Sequence, residues 1–267
     1  MLKDISLGQY FPGNSILHRI DPRGKLLLLV IYITALFMAR TAWQYGLMAA
    51  WLIIAVVSCH INVKVLVRGM KPVLFLILFT AIINMLIIPG EVLVSWWIFR
   101  VSREGLMTAV MMVSRILMLI SATFLLTYTT SPIQLTAALE RAMAPLKIIR
   151  VPVHELSMMM TIALRFIPTL IEETDKIISA QRARGGDFES GNIFRRMKAL
   201  LPLLIPLILS AFRRANDLAI AMECRCYHGG DGRTRLRVLR WQWFDLVVIL
   251  GCVAALGGLI TMRILEI

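Results

Sequence analysis

Two arginines stand in matched surroundings where two long helical stretches end. "SAQRARGGDF" (residues 179–188) closes the first and "AIAMECRCYHGG" (residues 219–230) closes the second. Aligned on Ala180 and Ala221, each reads alanine, two residues, a small residue, arginine, a small residue. The triplets are Ala183-Arg184-Gly185 and Cys224-Arg225-Cys226. A guanidinium at a helix C-terminus complements the negative end of the macrodipole by ~0.3–1 kcal/mol when exposed. Its planar fork of donors suits a carboxylate, and small neighbours let a partner approach the backbone. The chemistry on offer is the binding of an acidic surface at each helix end. One such ending is equally a solvated arginine ahead of a helix-stopping glycine, which fits Arg184-Gly185. Two in succession favour a partner-binding role over a chance pair of helix stops, although the spacing itself names no partner.

Other reactive groups add little. No Gly-x-x-x-x-Gly-Lys-Ser/Thr phosphate loop occurs, the pattern whose backbone cradles nucleotide phosphates. His154-Glu155 lacks a second histidine four residues after the first, where Met158 stands, and this removes a zinc-protease reading. The paired carboxylates Glu172 and Glu173 allow an intramembrane hydrolase as an alternative. No supporting histidines follow in later apolar runs, and the pair reads as a solvated helix face. Cys224, Cys226 and His228 are three potential metal ligands on one short stretch, too little to assign a metal site. The four cysteines are scattered and form no disulfide framework.

The elements that must position these groups are membranous. Of 267 residues, 58% are hydrophobic, and the mean hydropathy is +0.76, against about 45–50% apolar for a soluble domain. Long apolar runs mark an all-α integral membrane protein with about five transmembrane helices. They fall near Lys25–Ala39, Trp43–Cys59, Pro72–Pro89, Gly105–Tyr128 and Phe244–Met262. Val92–Phe99, with adjacent tryptophans, is too short to span and reads as interfacial. Arg115 falls near the middle of the fourth run, where a charge needs a partner. Backbone carbonyls or Asn84 are the candidates. Asp245 opens the last run and reads as interfacial. Pro12, Gly13, Asp21, Pro22 and Arg23 look like turn chemistry before the first span. The opening residues, with Lys3 and Asp4 among them, show no signal-peptide pattern.

The net charge of +13 follows topology. Lys3, Arg19, Arg23 and Lys25 precede or open the first span, and Lys64, Arg68 and Lys71 follow the second. Seventeen Lys or Arg lie between Arg141 and Arg240. The opposite side carries only Arg40, Arg100, Arg103 and Arg263. The positive-inside rule therefore places the N-terminus and the long basic segment in the cytoplasm and the C-terminus outside. Nucleic-acid binding is discounted as the source of the charge. Three regions result: residues 1–130 with helices one to four, residues 131–242 as a cytoplasmic module of long helices, and residues 243–267 as the last span.

Within the module, Ser131 and Pro132 open a helix with an apolar stripe of Leu135, Leu139, Met143 and Leu146. A second helix runs from about Val153 to Arg184, with a kink expected at Pro168. A third runs from about Asn192 to Cys226, bent near Pro202 and Pro206. Both long helices are apolar first ("LSMMMTIAL", "ALLPLLIPLILSAF") and charged last ("EETDKIISAQRAR", "RRANDLAIAMECR"). The short proline-containing apolar part of the third helix reads as lying at the inner interface, not as a sixth span.

Nearly the whole chain resembles the transmembrane T component, the EcfT family, of energy-coupling-factor importers. "GQYFPGNSILHRIDPRGKLL" resembles the family's opening, "AQRARG" its first Ala-Arg-Gly motif, and "AMECRCY" the second, with Cys224 and Cys226 replacing the usual small residues. The resemblance implies a non-catalytic coupling subunit of an ATP-driven importer of vitamins or other micronutrients. Its partners would be two ABC-type ATPases, read as a heterodimer, and a membrane-embedded substrate-binding S component. ATP and magnesium would reside in the ATPases, with no cofactor on this chain. Ala183, Arg184, Gly185, Cys224, Arg225 and Cys226 would dock the ATPases, with Arg182 and Glu223 as possible additions. Met158, Met159, Met160, Leu201, Leu203 and Leu204 would contact the S component. The location would be a bacterial-type plasma membrane. A self-contained secondary transporter is the remaining alternative.

Overall fold

A computed structural model of the chain describes residues 10–11, 13, 15–59, 63–89, 91–96, 99–186, 193–229, 241 and 243–264. Lys3, Asp4 and the basic stretch 231–240 lie outside the described residues. The protein is an all-α membrane protein carrying one short hairpin. Its elements are α1 (Ile16–Arg19), α2 (Pro22–Met38), α3 (Ala42–Ser58), α4 (Val63–Ile87), β1 (Val92–Trp96), β2 (Phe99–Ser102) and α5 (Arg103–Thr129). After these come α6 (Pro132–Ala142), a 3-10 turn (Ala144–Ile149), α7 (Val153–Ala183), α8 (Ile193–Glu223) and α9 (Trp243–Ile264). Two compact units result, one of Gly8–Ala138 with Leu239–Ile267, the other containing Leu139–Val238.

In the first unit, α4 and α5 have the length and apolarity to cross a bilayer, while α3 and part of α9 are shorter apolar helices. α2 and α3 have 17 residues each, the lower limit of the ~17–25 that spanning requires. α4 begins earlier than the apolar run at Pro72 suggested. Val63 starts the helix, so Lys64, Arg68 and Lys71 ride on its first turns. Val92–Trp96 and Phe99–Ser102 pair as an antiparallel hairpin, with Val92 opposite Ser102 and Trp96 opposite Phe99. Ser102 ends the hairpin and caps α5: its hydroxyl accepts from the Gly105 amide at 3.0 Å and donates to the Ile88 carbonyl at 2.6 Å. A Cβ on Gly105 would lie 2.7 Å from the Ser102 hydroxyl and 3.0 Å from the Met85 carbonyl, so only glycine fits this approach.

The core of this unit joins α2, α3 and α5 through Tyr32, Ala35, Leu36, Ala39, Tyr45, Met48, Met118 and Ala122. Most polar groups beside it are paired, although Arg115 Nε is buried without a hydrogen-bond partner. Gln44 Oε1 accepts from the Arg40 and Thr41 amides at 2.8 and 3.2 Å and so caps the start of α3. Arg115 donates to the Ala39 carbonyl at 3.1 Å and to the Tyr45 hydroxyl, with its guanidinium over the Phe37 and Tyr45 rings. Backbone and tyrosine thus receive this arginine. Asn84 instead donates to the Thr80 carbonyl on its own helix and to Met112 Sδ.

A second polar knot joins the start of α2 to α5 and α9. Asp21 caps α2 by accepting from the Arg23 amide at 2.9 Å, ahead of Pro22 at the first helical position. The Asp21 amide donates to Asp245 Oδ1 at 3.3 Å. Lys25 Nζ donates to the Thr129 carbonyl at 2.8 Å and the Thr130 hydroxyl at 3.3 Å. Asp245 is only 1% exposed, so it is part of this buried knot.

Arg115 to methionine removes both donors and leaves the Ala39 carbonyl without its side-chain partner. Interhelical hydrogen bonds in membranes are worth about 0.6 kcal/mol each and up to ~1.7. A loss on the order of 1–3 kcal/mol is expected, read as a melting temperature lowered by several degrees in detergent. Tyr45→Phe loses a smaller share.

Candidate functional site

The second unit is organised around α7 and α8, which have 31 residues each. The reciprocal bonds between Ser131 and Gln134 start α6 as the sequence suggested: Gln134 N to the Ser131 hydroxyl at 3.4 Å, Ser131 N to Gln134 Oε1 at 3.3 Å. Thr136 and Ala138 are its buried residues, whereas Leu135, Leu139 and Met143 are half-buried and Leu146 is exposed. Glu140 then ties α6 to α7, accepting from the Ser157 hydroxyl at 2.8 Å and lying 3.2 Å from His154 Nδ1. α7 continues through Pro168, and α8 through Pro202 and Pro206.

The two helices end in the same hydrogen-bonded form. At the end of α7, Gly186 N donates to the Gln181 carbonyl at 2.8 Å and Gly185 N to the Arg182 carbonyl at 3.0 Å. At the end of α8, Tyr227 N donates to the Met222 carbonyl at 3.1 Å and Cys226 N to the Glu223 carbonyl at 2.8 Å. These pairs define a Schellman motif in each case, with the arginine as C-cap and the next residue left-handed. Gly185 has φ +84° and Cys226 φ +54°. Every bond of one motif maps on the other at an offset of 41 residues. Cys226 is therefore the structural equivalent of Gly185. The helix proper stops at Glu223, three residues before Cys226.

Arg184 and Arg225 are exposed, as are Ala183, Gly185, Cys224 and Cys226. Among the described residues, neither Arg184 nor Arg225 has an ion-pair partner. Cys224 and Cys226 are free thiols. No group of three or more potential metal ligands occurs among the described residues, Cys224, Cys226 and His228 included. Each guanidinium thus stands at the negative end of a long helix, on a backbone closed by its own hydrogen bonds, with no ion-pair partner among the described residues.

Glu172 and Glu173 have separate roles. Glu172 is exposed. Glu173 is not a solvated face residue: it accepts from the Ser210 hydroxyl at 2.5 Å and from Arg214 at 2.8 Å, clasping α7 to α8. The Ser210 hydrogen bond, then Arg214 and Lys176, holds its carboxyl below the ordinary value. A carboxylate held ionised and already bonded to two donors is poorly suited to serve as a general base near neutral pH. The sequence held no signal for this clasp, whose partners lie 37 and 41 residues away.

Toward the apolar beginnings of both helices, Met159, Met160, Leu201 and Leu204 are 54%, 41%, 51% and 51% exposed, and Met158 is half-buried. Leu203 departs from the expected contact surface. At 7% exposure it packs inside the chain and is not offered to a partner.

A family model described as "Cobalt transport protein" matches residues 13–236. The energy-coupling factor transporter transmembrane protein EcfT of Ruminiclostridium cellulolyticum is 53% identical over 248 residues, 93% of each chain. The protein of the same name from Acidaminococcus fermentans is 47% identical over 264 residues, 99% of this chain and 95% of that one. That of Lactococcus lactis is 44% identical over 253 residues, 94% and 95% of the two chains.

Two outcomes test the geometry. A left-handed residue with a Cβ costs roughly 1–2 kcal/mol, so Cys226→Gly stabilises the end of α8 by about that much. Gly185→Ala, which meets no atom within 4 Å, destabilises the end of α7 by backbone strain alone. Hydrogen exchange of the flanking amides reads both. The Glu173 clasp contributes stability above the ordinary carboxylate pKa and loses it as pH falls through the lowered folded value. Protection factors of amides near Ser210 and Arg214, taken relative to the intrinsic exchange rate at each pH, therefore fall on acidification, and Glu173→Gln shows the lower protection already at neutral pH.

Proposed function

The chain belongs to the family of energy-coupling factor transporter transmembrane proteins, and from that premise we propose that it is the non-catalytic coupling subunit of an ATP-driven importer. The observation that carries this reading is the pair of helix ends with the same hydrogen-bond pattern, each presenting an exposed arginine without an ion-pair partner among the described residues. Two similar acceptor sites are what such a pair fits, and two ABC-type ATPase subunits supply them. Arg184 and Arg225 form the charged contacts. Ala183, Gly185, Cys224 and Cys226 keep the backbone approachable. ATP and magnesium belong to the ATPases.

The exposed apolar beginnings of α7 and α8 are the surface for a membrane-embedded S component, with Met158, Met159, Met160, Leu201 and Leu204 at its centre. Methionine side chains repack easily, which suits a surface that must yield during transport. Leu203, buried beneath, supports this surface and does not touch the partner. Closure of the ATPases on ATP would displace the two helix ends. The Glu173 clasp holds α7 and α8 together, so displacement at the ends alters the apolar surface where the S component sits. The cargo, a vitamin or other micronutrient, is selected by that component. α2, α3, α4, α5 and α9 make five crossings of a bacterial-type plasma membrane. The N-terminus and the α6–α8 module face the cytoplasm and the C-terminus faces outside, as the lysine and arginine distribution favours.

Co-purification tests the reading. The wild-type chain is expected to isolate with two nucleotide-binding subunits. Arg184→Ala with Arg225→Ala is expected to lose them and to abolish uptake, while each single change retains part of both. Survival of ATPase association in the double variant would sink the docking assignment. Uptake by the purified chain alone in liposomes would favour a secondary transporter instead.

A further inference from the structure

The membrane unit contains a cavity of about 410 Å³ that neither the helix ends nor the apolar α7–α8 surface involves. Its back wall is α2 from Lys25 to Tyr32 and α5 from Ala122 to Thr129. Its sides are α3 from Trp51 to Ser58 and α9 from Val247 to Cys252. α1 closes one end through Ile16, Leu17 and Ile20. At the other end, Trp51 meets α9 closely: a Cβ on Gly251 would lie 3.3 Å from its ring. The cavity reaches the surface at Ile54 and Val247, which line it and are 65% and 63% exposed, and also beside Ile16 of α1, which is 51% exposed. Its mouth is thus a slot between α3 and α9 on the flank of the helix bundle.

We propose that this cavity holds one acyl chain of a membrane phospholipid, inserted sideways from the leaflet on the α1 side. Four observations converge on that occupant. The walls are almost entirely aliphatic and aromatic, and the volume falls in the range of ligand sites, roughly 300–1,000 Å³. Water gains little there, because a buried water needs two to four polar partners. The strongest donor, Lys25 Nζ, is already bonded to the Thr129 carbonyl and the Thr130 hydroxyl. The stretch from Lys25 to Tyr32 rises about 10 Å, which lies within one leaflet's share of a hydrocarbon core ~30 Å thick. Finally, the mouth opens through apolar residues on helices that cross the membrane, where hydrocarbon is the surrounding medium. A void this large forfeits dispersion contacts on every wall, and a chain entering from that medium restores them with no desolvation of its own.

The proposal rests on membrane insertion of the first unit and not on ATPase coupling. Its test therefore uses neither ATPases nor transport. The full-length chain is reconstituted with phosphatidylethanolamine and phosphatidylglycerol, transferred to mild detergent, and weighed intact by native mass spectrometry. One phospholipid is expected to remain on the wild-type chain. Ala55→Phe, which fills the cavity from α3, is expected to reduce that retention at least tenfold. Equal retention by the variant, no retained lipid on the wild type, or a retained free fatty acid in place of a phospholipid would each overturn the proposal. Should Ala55→Phe fail to fold, phosphatidylglycerol with a brominated chain decides on the wild type alone. Bromine density between α3 and α9 supports the site, and bromine confined to the outer surface of the bundle overturns it.

Discussion

Backbone carbonyls and amides that leave a regular helix inside or beside a bilayer have no water to turn to, and most of the structure can be traced to how this chain answers that need. The turn from α2 to α3 is the clearest instance. Its amides at Arg40 and Thr41 go to Gln44, and its carbonyl at Ala39 goes to Arg115. The turn that ends α5 sends its Thr129 carbonyl to Lys25. In both places a long cationic side chain crosses from a neighbouring helix to a carbonyl. The charges that look out of place in an apolar sequence are therefore the fasteners of the helix bundle. The aromatic rings of Phe37 and Tyr45 beside Arg115 add cation–π attraction where the guanidinium is shielded from water.

The same need shapes the ends of α7 and α8, with a different result. There the last carbonyls are taken by the backbone itself, through the left-handed residue after each arginine. Because the backbone closes its own end, the arginine side chain is left with nothing to satisfy inside the chain. That division of labour frees a charge for intermolecular use at a fixed place. It also explains why small residues flank the arginine: Gly185 is needed for the turn, and Cys226 fills the same role at some cost in strain.

Much of this was legible in the amino-acid sequence, and the failures have physical reasons. Ser131, Pro132, Asp21 and Pro22 mark helix starts because their side chains have specific capping chemistry. The arginine endings aligned correctly because a helix end repeats in sequence as in space. Cys226 escaped notice as a helix-ending residue because cysteine rarely adopts a positive φ, and only the backbone shows that it does. The partner of Arg115 was half legible. Backbone carbonyls were named, but they occur at every residue and leave no pattern to choose among. Glu173 misled because an acidic residue on an amphipathic helix is ordinarily solvated, and its partners on α8 come from a different helix. α4 started early because lysine and arginine are good helix formers, so an apolarity boundary at Pro72 was not a helix boundary.

One consequence of the clasp concerns leverage. Glu173 lies eleven residues before Arg184, and Arg214 lies eleven before Arg225. At ~1.5 Å per residue, each helix projects about 16 Å from the shared fulcrum to its tip. Two arms of equal length on one pivot turn equal strokes at their tips into equal rotations. Neither arm has mechanical advantage over the other, so a one-sided push tilts the pair while a symmetric squeeze scissors it. If the tips are moved as proposed, the pair would behave as balanced tongs, with the residue count between clasp and tip setting the gearing.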